Sequence, residues 1–217
     1  MREENAQMSP RKESGNALKV MMPAIIYMCV FMVLFFLLKR IRFSVYHYPY
    51  MAIDLQIPYV RYFIIPYVFW FLWVPFTLIY LALTDAPSFR KVSGLLMVGK
   101  TIYLLVCLVY PTKLSLRPTT LPGNDIFCRM TSFIYSLSPE MHVFPSLHVF
   151  DSCIALHAVL AGKGRLFQKK SFKIFAWIVT VLICLSAVLV RQHSLIDIAG
   201  GILLYPLTVV LLKRRTD

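Results

Sequence analysis

The sequence predicts an all-α integral membrane fold, a six-helix bundle, from three observations. Of the 217 residues, 59% are hydrophobic and only 15% charged, with a mean hydropathy of +0.68; a soluble domain is about half apolar and a quarter charged. Six apolar runs recur, each near the roughly 20 residues that a bilayer-spanning helix needs, and they leave no room for a second domain. The basic residues behind a net charge of +13 flank those runs, which reads as membrane topology and lipid contact rather than nucleic-acid binding. A soluble enzyme, a disordered tail and a nucleic-acid module are thereby set aside.

Residues 1–17 read as a polar cytoplasmic tail and 18–217 as the membrane domain. The first span, Leu18 to Leu38, is stopped by Lys39, Arg40 and Arg42. It is too long for the apolar core of a signal peptide and no small-residue cleavage site follows, so it reads as a retained span. Phe43 to Pro58, rich in Tyr and containing Asp54, suits the water–lipid interface. The second span, Tyr59 to Leu83, carries Pro66 and Pro75, and a kink is expected there. A polar loop, Thr84 to Lys91, leads to the third span, Val92 to Tyr110, where Lys100 requires a partner or a route to the interface. Pro111 to Pro145 is the longest non-apolar stretch. The fourth span, Ser146 to Ala161, is short, as expected of a helix with a polar functional end; a basic loop, Gly162 to Lys173, follows. The fifth span is Ile174 to Val190 and the sixth Leu195 to Leu212.

Placing the N-terminus in the cytoplasm puts 14 Lys and Arg beside the inner span ends and 8 beside the outer ones, with Lys100 inside a span. The bias favours both termini inside. The five cysteines are scattered, four in apolar runs and Cys128 in a loop, with neither a disulfide framework nor a zinc spacing. They read as small apolar core residues.

Three polar clusters stand out: Lys113 to Arg117-Pro118 after the third span, Pro145-Ser146-Leu147-His148 at the start of the fourth, and Arg191-Gln192-His193 to Asp197 between the fifth and sixth. Span counting brings all three to one membrane face. His193 and Asp197 are four apart, one helical turn, so the carboxylate can hold one imidazole nitrogen protonated and leave the other as nucleophile or base. Ser146 fits a helix N-cap, and the free N–H groups behind it suit an anion. His148, one residue pair further, is placed to protonate a leaving oxygen. Arg117 and Arg191 suit bidentate binding of phosphate oxygens, with Lys113 as a more flexible charge. Asp151 fits either an orienting partner for His148 or a charge complementing the helix N-terminus. His142 is an alternative acid, and His157 reads as a helix-contact residue.

In this order the clusters resemble the type 2 phosphatidic acid phosphatase family, whose motifs read K-x6-R-P, P-S-G-H and S-R-x5-H-x3-D. Arg117-Pro118 matches the end of the first; Pro145, Ser146 and His148 match the second; Ser186, His193 and Asp197 match the third. The segment from Ile57 to Tyr67 is similar to a bacterial subgroup. The first-motif Lys falls at Tyr110, with Lys113 as a stand-in; Leu147 replaces the glycine; Ala187 replaces the third-motif Arg, with Arg191 nearby. The P-S-L-H and R-Q-H-S-L-I-D forms resemble the branch that includes inositol phosphorylceramide synthases. The resemblance implies an active site at one membrane face, in a plasma membrane on the extracytoplasmic side, that uses neither metal nor other cofactor. It implies a membrane lipid phosphate as substrate, His193 as nucleophile, Asp197 orienting it, His148 as acid then base, and Arg117, Arg191, Lys113 and Ser146 around the phosphate. The expected reaction is hydrolysis of a lipid phosphate monoester or a polyprenyl or lipid diphosphate. Transfer of a phospholipid head group, a metal enzyme using His148, His193 and Asp197, and a transporter are the other readings.

Overall fold

The computed structural model describes residues 10–138 and 140–213. Residues 1–9 of the expected tail and the closing Arg214 and Arg215 lie outside the described residues. Among the described residues the secondary structure is helical: α1 (Pro10–Leu38), α2 (Ala52–Gln56), a 3-10 turn (Arg61–Phe63), α3 (Ile64–Thr84), α4 (Ala86–Val109), α5 (Ile126–Leu137), α6 (Leu147–Ala161), α7 (Arg165–Gln168), α8 (Lys170–Leu189) and α9 (Leu195–Lys213). Five segments are long and apolar enough to cross a membrane: Ala17–Leu38, Arg61–Thr84, Ala86–Val109, Lys170–Leu189 and Leu195–Lys213. α6 is apolar but only 15 residues long.

α6 is the central post. It packs against α3, α4, α8 and α9, and Phe150, Ile154, Ala155, Ala158 and Val159 along it are fully buried. Residues facing outward on the surrounding helices, such as Leu72, Trp177 and Leu203, are apolar and exposed, as lipid-facing side chains are. Small residues let α6 and its neighbours approach closely, as packing inside a bilayer requires. A Cβ on Gly99 of α4 would meet the Phe150 ring at 2.0 Å, and one on Gly201 of α9 would meet the Ser146 carbonyl oxygen at 2.6 Å.

Cross-links fix which helix ends share a level. At one end, the Val60 N–H donates to Leu189 O at 2.9 Å, Ser146 N–H to Asp197 O at 3.0 Å, and the Tyr103 hydroxyl to His142 O at 2.6 Å. At the other, Lys163 N–H donates to the Asp85 carboxylate at 3.2 Å, and Leu166 N–H to the Tyr80 hydroxyl at 2.9 Å. α3, α6 and α9 therefore start where α4 and α8 finish.

Several sequence expectations are corrected at the boundaries. α1 begins at Pro10, inside the expected tail. The expected loop Thr84 to Lys91 shrinks to Asp85, whose carboxylate accepts from Ser88 N–H while Pro87 occupies the first turn, where no N–H is needed. Pro111 to Pro145 contains α5, capped by Asp125 through Cys128 N–H at 2.9 Å; Cys128 is thus a buried helical residue. The loop Gly162 to Lys173 contains α7, and α8 starts at Lys170, because flanking lysines extend an apolar helix into polar surroundings with their stems along it. α3 runs on through Pro75, and Pro66 lies in its first turn. All five cysteines are free.

Candidate functional site

The start of α6 and the turn between α8 and α9 meet at the end where α3 begins. There the His148 and His193 ring centroids are 5.9 Å apart. Their residues are 45 positions apart in sequence, and the hydrogen bond from Ser146 N–H to Asp197 O holds the two segments together.

His193 precedes α9, and its Nδ1 lies 3.5 Å from Oδ2 of Asp197. That approach is longer than a formed hydrogen bond, and catalytic contacts commonly tighten only when substrate binds. Asp197 is fully buried; its Oδ2 accepts from Ser194 N–H at 2.9 Å, and its Oδ1 has no partner. The buried carboxylate thus keeps acceptor capacity for a donor on the neighbouring ring. With Nδ1 facing Asp197, Nε2 is the nitrogen left for chemistry.

His148 is clamped between two rings of α3. It stacks on Tyr67 at 4.3 Å and on Trp70 at 4.2 Å. Tyr67 and Trp70 are three apart and so share a helix face. The clamp fixes the ring plane without using a nitrogen, and Nε2 is buried with no hydrogen-bond partner.

Ser146 caps α6 through Val149 N–H at 3.5 Å and is fully buried. Arg117 stands over the Tyr135 ring at 4.2 Å. Its guanidinium donates to the carbonyls of Tyr135 and Ser138 and, at 2.7 Å, to the Gln192 side-chain oxygen. That last bond ties it to the residue beside His193. Burial pulls the Arg117 pKa down, partly offset by Glu140.

Arg191 is placed otherwise than a free phosphate ligand. Its Nε donates to Leu116 O at 2.8 Å and its Nη1 to the carbonyls of Asp54 and Ile57. Two of its three nitrogens thus fasten the turn to the segment before α3. Its φ of 57° is unusual for a side-chain-bearing residue, and the three carbonyls hold it there. Lys113 is exposed, and its backbone pairs with His47 and Met141; no contact joins its ammonium to the histidine pair.

Sequence reasoning missed several participants. Asp54 is fully buried and receives Leu195 N–H at 2.8 Å, so a residue 141 positions away caps α9. Lys39 is half-buried, and burial together with the nearby Arg117 charge pulls its pKa below the usual lysine range, which adds a cation at the rim. Gln192 bridges to Arg117, and its amide nitrogen is buried without a partner. The signals were present only as lone polar residues in apolar or aromatic surroundings.

Of the other titratable residues, Lys100 and His157 find ordinary partners, whereas neither ring nitrogen of His142 is hydrogen-bonded. Lys100 donates to Asp151 at 2.8 Å with both side chains buried, and it lies 4.8 Å over the Phe31 ring. His157 bonds the Tyr205 hydroxyl at 2.6 Å, a contact between α6 and α9. His142 is buried against Phe43; burial and nearby Lys39 push its pKa down. Among the described residues no three His, Cys, Asp or Glu side chains converge as a metal site.

No family model, curated protein or solved structure matches this chain.

Proposed function

We propose that this chain is a multi-pass membrane enzyme that removes phosphate from a lipid phosphate monoester or a lipid diphosphate through a phosphohistidine. One observation carries the reading: two imidazoles 5.9 Å apart, one backed by a buried carboxylate and the other clamped with a bare buried nitrogen, at one end of an apolar bundle. The order and spacing of the motifs, which resemble the type 2 phosphatidic acid phosphatases, support it.

In this reading α6 is the fourth of six spans, both termini are cytoplasmic, and the site opens to the extracytoplasmic side of the plasma membrane. His193 Nε2 attacks phosphorus while the bond from phosphorus to the leaving oxygen breaks. His148 supplies the proton to that oxygen. Asp197 stabilises the positive ring that forms at His193. His148 then takes a proton from water, which attacks the phosphohistidine and releases inorganic phosphate. Positioning and charge neutralisation do most of the work in such transfers; Arg117 is the cation best placed to assist. If an alcohol takes the place of water, the same residues perform head-group transfer.

The test is phosphate release by the purified protein from phosphatidic acid, phosphatidylglycerophosphate and polyprenyl diphosphate, with and without chelator, and with an added polyol. Release is expected to survive chelation and to fall by about 10³-fold or more in His193→Ala. Near-normal release by that variant would overturn the assignment. A phosphorylated polyol among the products would select transfer.

A further inference from the structure

α5 divides into three sectors. At about 100° per residue, Ile126, Met130, Phe133 and Leu137 fall within about 60° of one another. Ile126, Phe133 and Leu137 are 60% or more exposed. Cys128, Thr131 and Ile134 face inward and are buried, and Tyr135 beside them is half-buried. Arg129, Ser132 and Ser136 form the third sector; they are exposed and line the open cleft with Thr119 and Asn124, and Phe133 of the apolar strip borders the same cleft. A helix packed on one face against its protein normally turns only polar residues outward; this one turns out two unlike strips.

Its tethers fix its depth. Asp125 at its start pairs with Arg61 at 2.6 Å, and Phe127 packs on Tyr62 at 5.0 Å. In its middle Thr131 accepts from the Tyr59 hydroxyl at 2.9 Å. Near its end the Tyr135 hydroxyl donates to Val190 O at 2.7 Å. Residues 59–62 begin the α3 span, and Val190 ends α8. Twelve residues extend about 18 Å, so a helix tied to that one level from beginning to end lies across the end of the bundle.

We propose that α5 is an interfacial helix that sinks the Ile126, Phe133 and Leu137 strip into the headgroup–acyl boundary of the bilayer and keeps the Arg129, Ser132 and Ser136 strip in water. The occupant of the apolar strip is lipid, because the neighbouring outward faces at this depth belong to segments long and apolar enough to cross a membrane. Interfacial helices of this kind bury their apolar face about 5–10 Å below the surface. The inference rests on the membrane reading of the bundle and not on the enzyme reading.

Bromolipid quenching of tryptophan fluorescence tests it, with full-length protein in phosphatidylcholine vesicles. Wild-type emission includes Trp177, 53% exposed on α8, and reports the bundle itself. The emission added by Phe133→Trp is expected to fall by about half with bromines placed near the headgroup and less with deep bromines. The emission added by Ser132→Trp is expected to stay within about a tenth of its value. If wild-type emission is quenched but that of Phe133→Trp is not, or if both variants quench alike, the interfacial placement is overturned and the membrane reading stands. Failure to quench the wild type overturns both.

Discussion

At the scale of single residues, the two arginines beside the histidines do different work. Arg117 keeps a face toward Gln192 and the site, while Arg191 gives two nitrogens to three backbone carbonyls. A lysine at 191 keeps the charge but not the planar fork, and each buried carbonyl left without a donor costs about 1–3 kcal/mol. Arg191→Lys is therefore expected to destabilise the protein by about 1–3 kcal/mol, seen as a lower unfolding midpoint in detergent, together with reduced phosphate release. Arg117→Lys also loses the fork that reaches the Tyr135 and Ser138 carbonyls, so it is expected to lower the midpoint and, in addition, to raise KM. A stable Arg191→Lys variant with only a raised KM would return Arg191 to the role of phosphate ligand. The Lys100–Asp151 pair shows the same economy of charge: a mid-span cation has its carboxylate one helix away, as a charge held inside a membrane requires.

At the scale of helices, the site depends on how closely α9 lies on the start of α6. A Cβ at Gly201 would press on the Ser146 carbonyl at 2.6 Å and on Val149 Cβ at 2.9 Å, and neither is the end of a flexible side chain. Gly201→Ala must push α9 away, and with it Asp197 and the turn holding His193. A displacement of about 1 Å costs a catalytic arrangement on the order of 10²-fold. Phosphate release by this variant is expected to fall by that factor while circular dichroism keeps its helix content; undiminished release would show that the α6–α9 approach does not set the geometry. The same scale separates what was legible in the sequence from what was not. The apolar runs give the existence of α1, α3, α4, α8 and α9 and the far end of each to within a residue or so, because a bilayer leaves one local solution for such a run, while α1 and α4 start well before their apolar stretch, at Pro10 and Ala86. The i, i+4 spacing of His193 and Asp197, and Ser146 before His148, were readable for the same local reason. α5 was not: its apolar positions alternate with Arg129, Ser132 and Ser136, and its inward face is defined by residues distant in sequence, Tyr59 and Tyr62 before α3 and Val190 after α8. Nor were the ring clamp on His148 or the Asp54 cap on α9, since both are tertiary contacts between residues that look unremarkable in their own segments.

At the scale of the whole molecule, a bundle whose central helix has only 15 residues raises the question of how α6 traverses the layer that its longer neighbours span. Fifteen helical residues rise about 22 Å, less than the roughly 30 Å hydrocarbon thickness. Because α3, α4, α8 and α9 surround it, α6 need not meet lipid along its length. Its two ends open into connecting loops, one that carries α5 on one side and one that carries α7 on the other. If α6 crosses, those loops face opposite compartments. Single cysteines in a cysteine-free background, at exposed Ser132 on the site side and Lys169 on the other, make this measurable with a membrane-impermeant maleimide. In intact cells the 132 position is expected to label and the 169 position to label only after permeabilisation, as the Lys and Arg bias places the far loops inside. Labelling of both positions without permeabilisation would mean that α6 does not cross, and the six-span arrangement, with the compartment assigned to the histidine pair, would have to be abandoned.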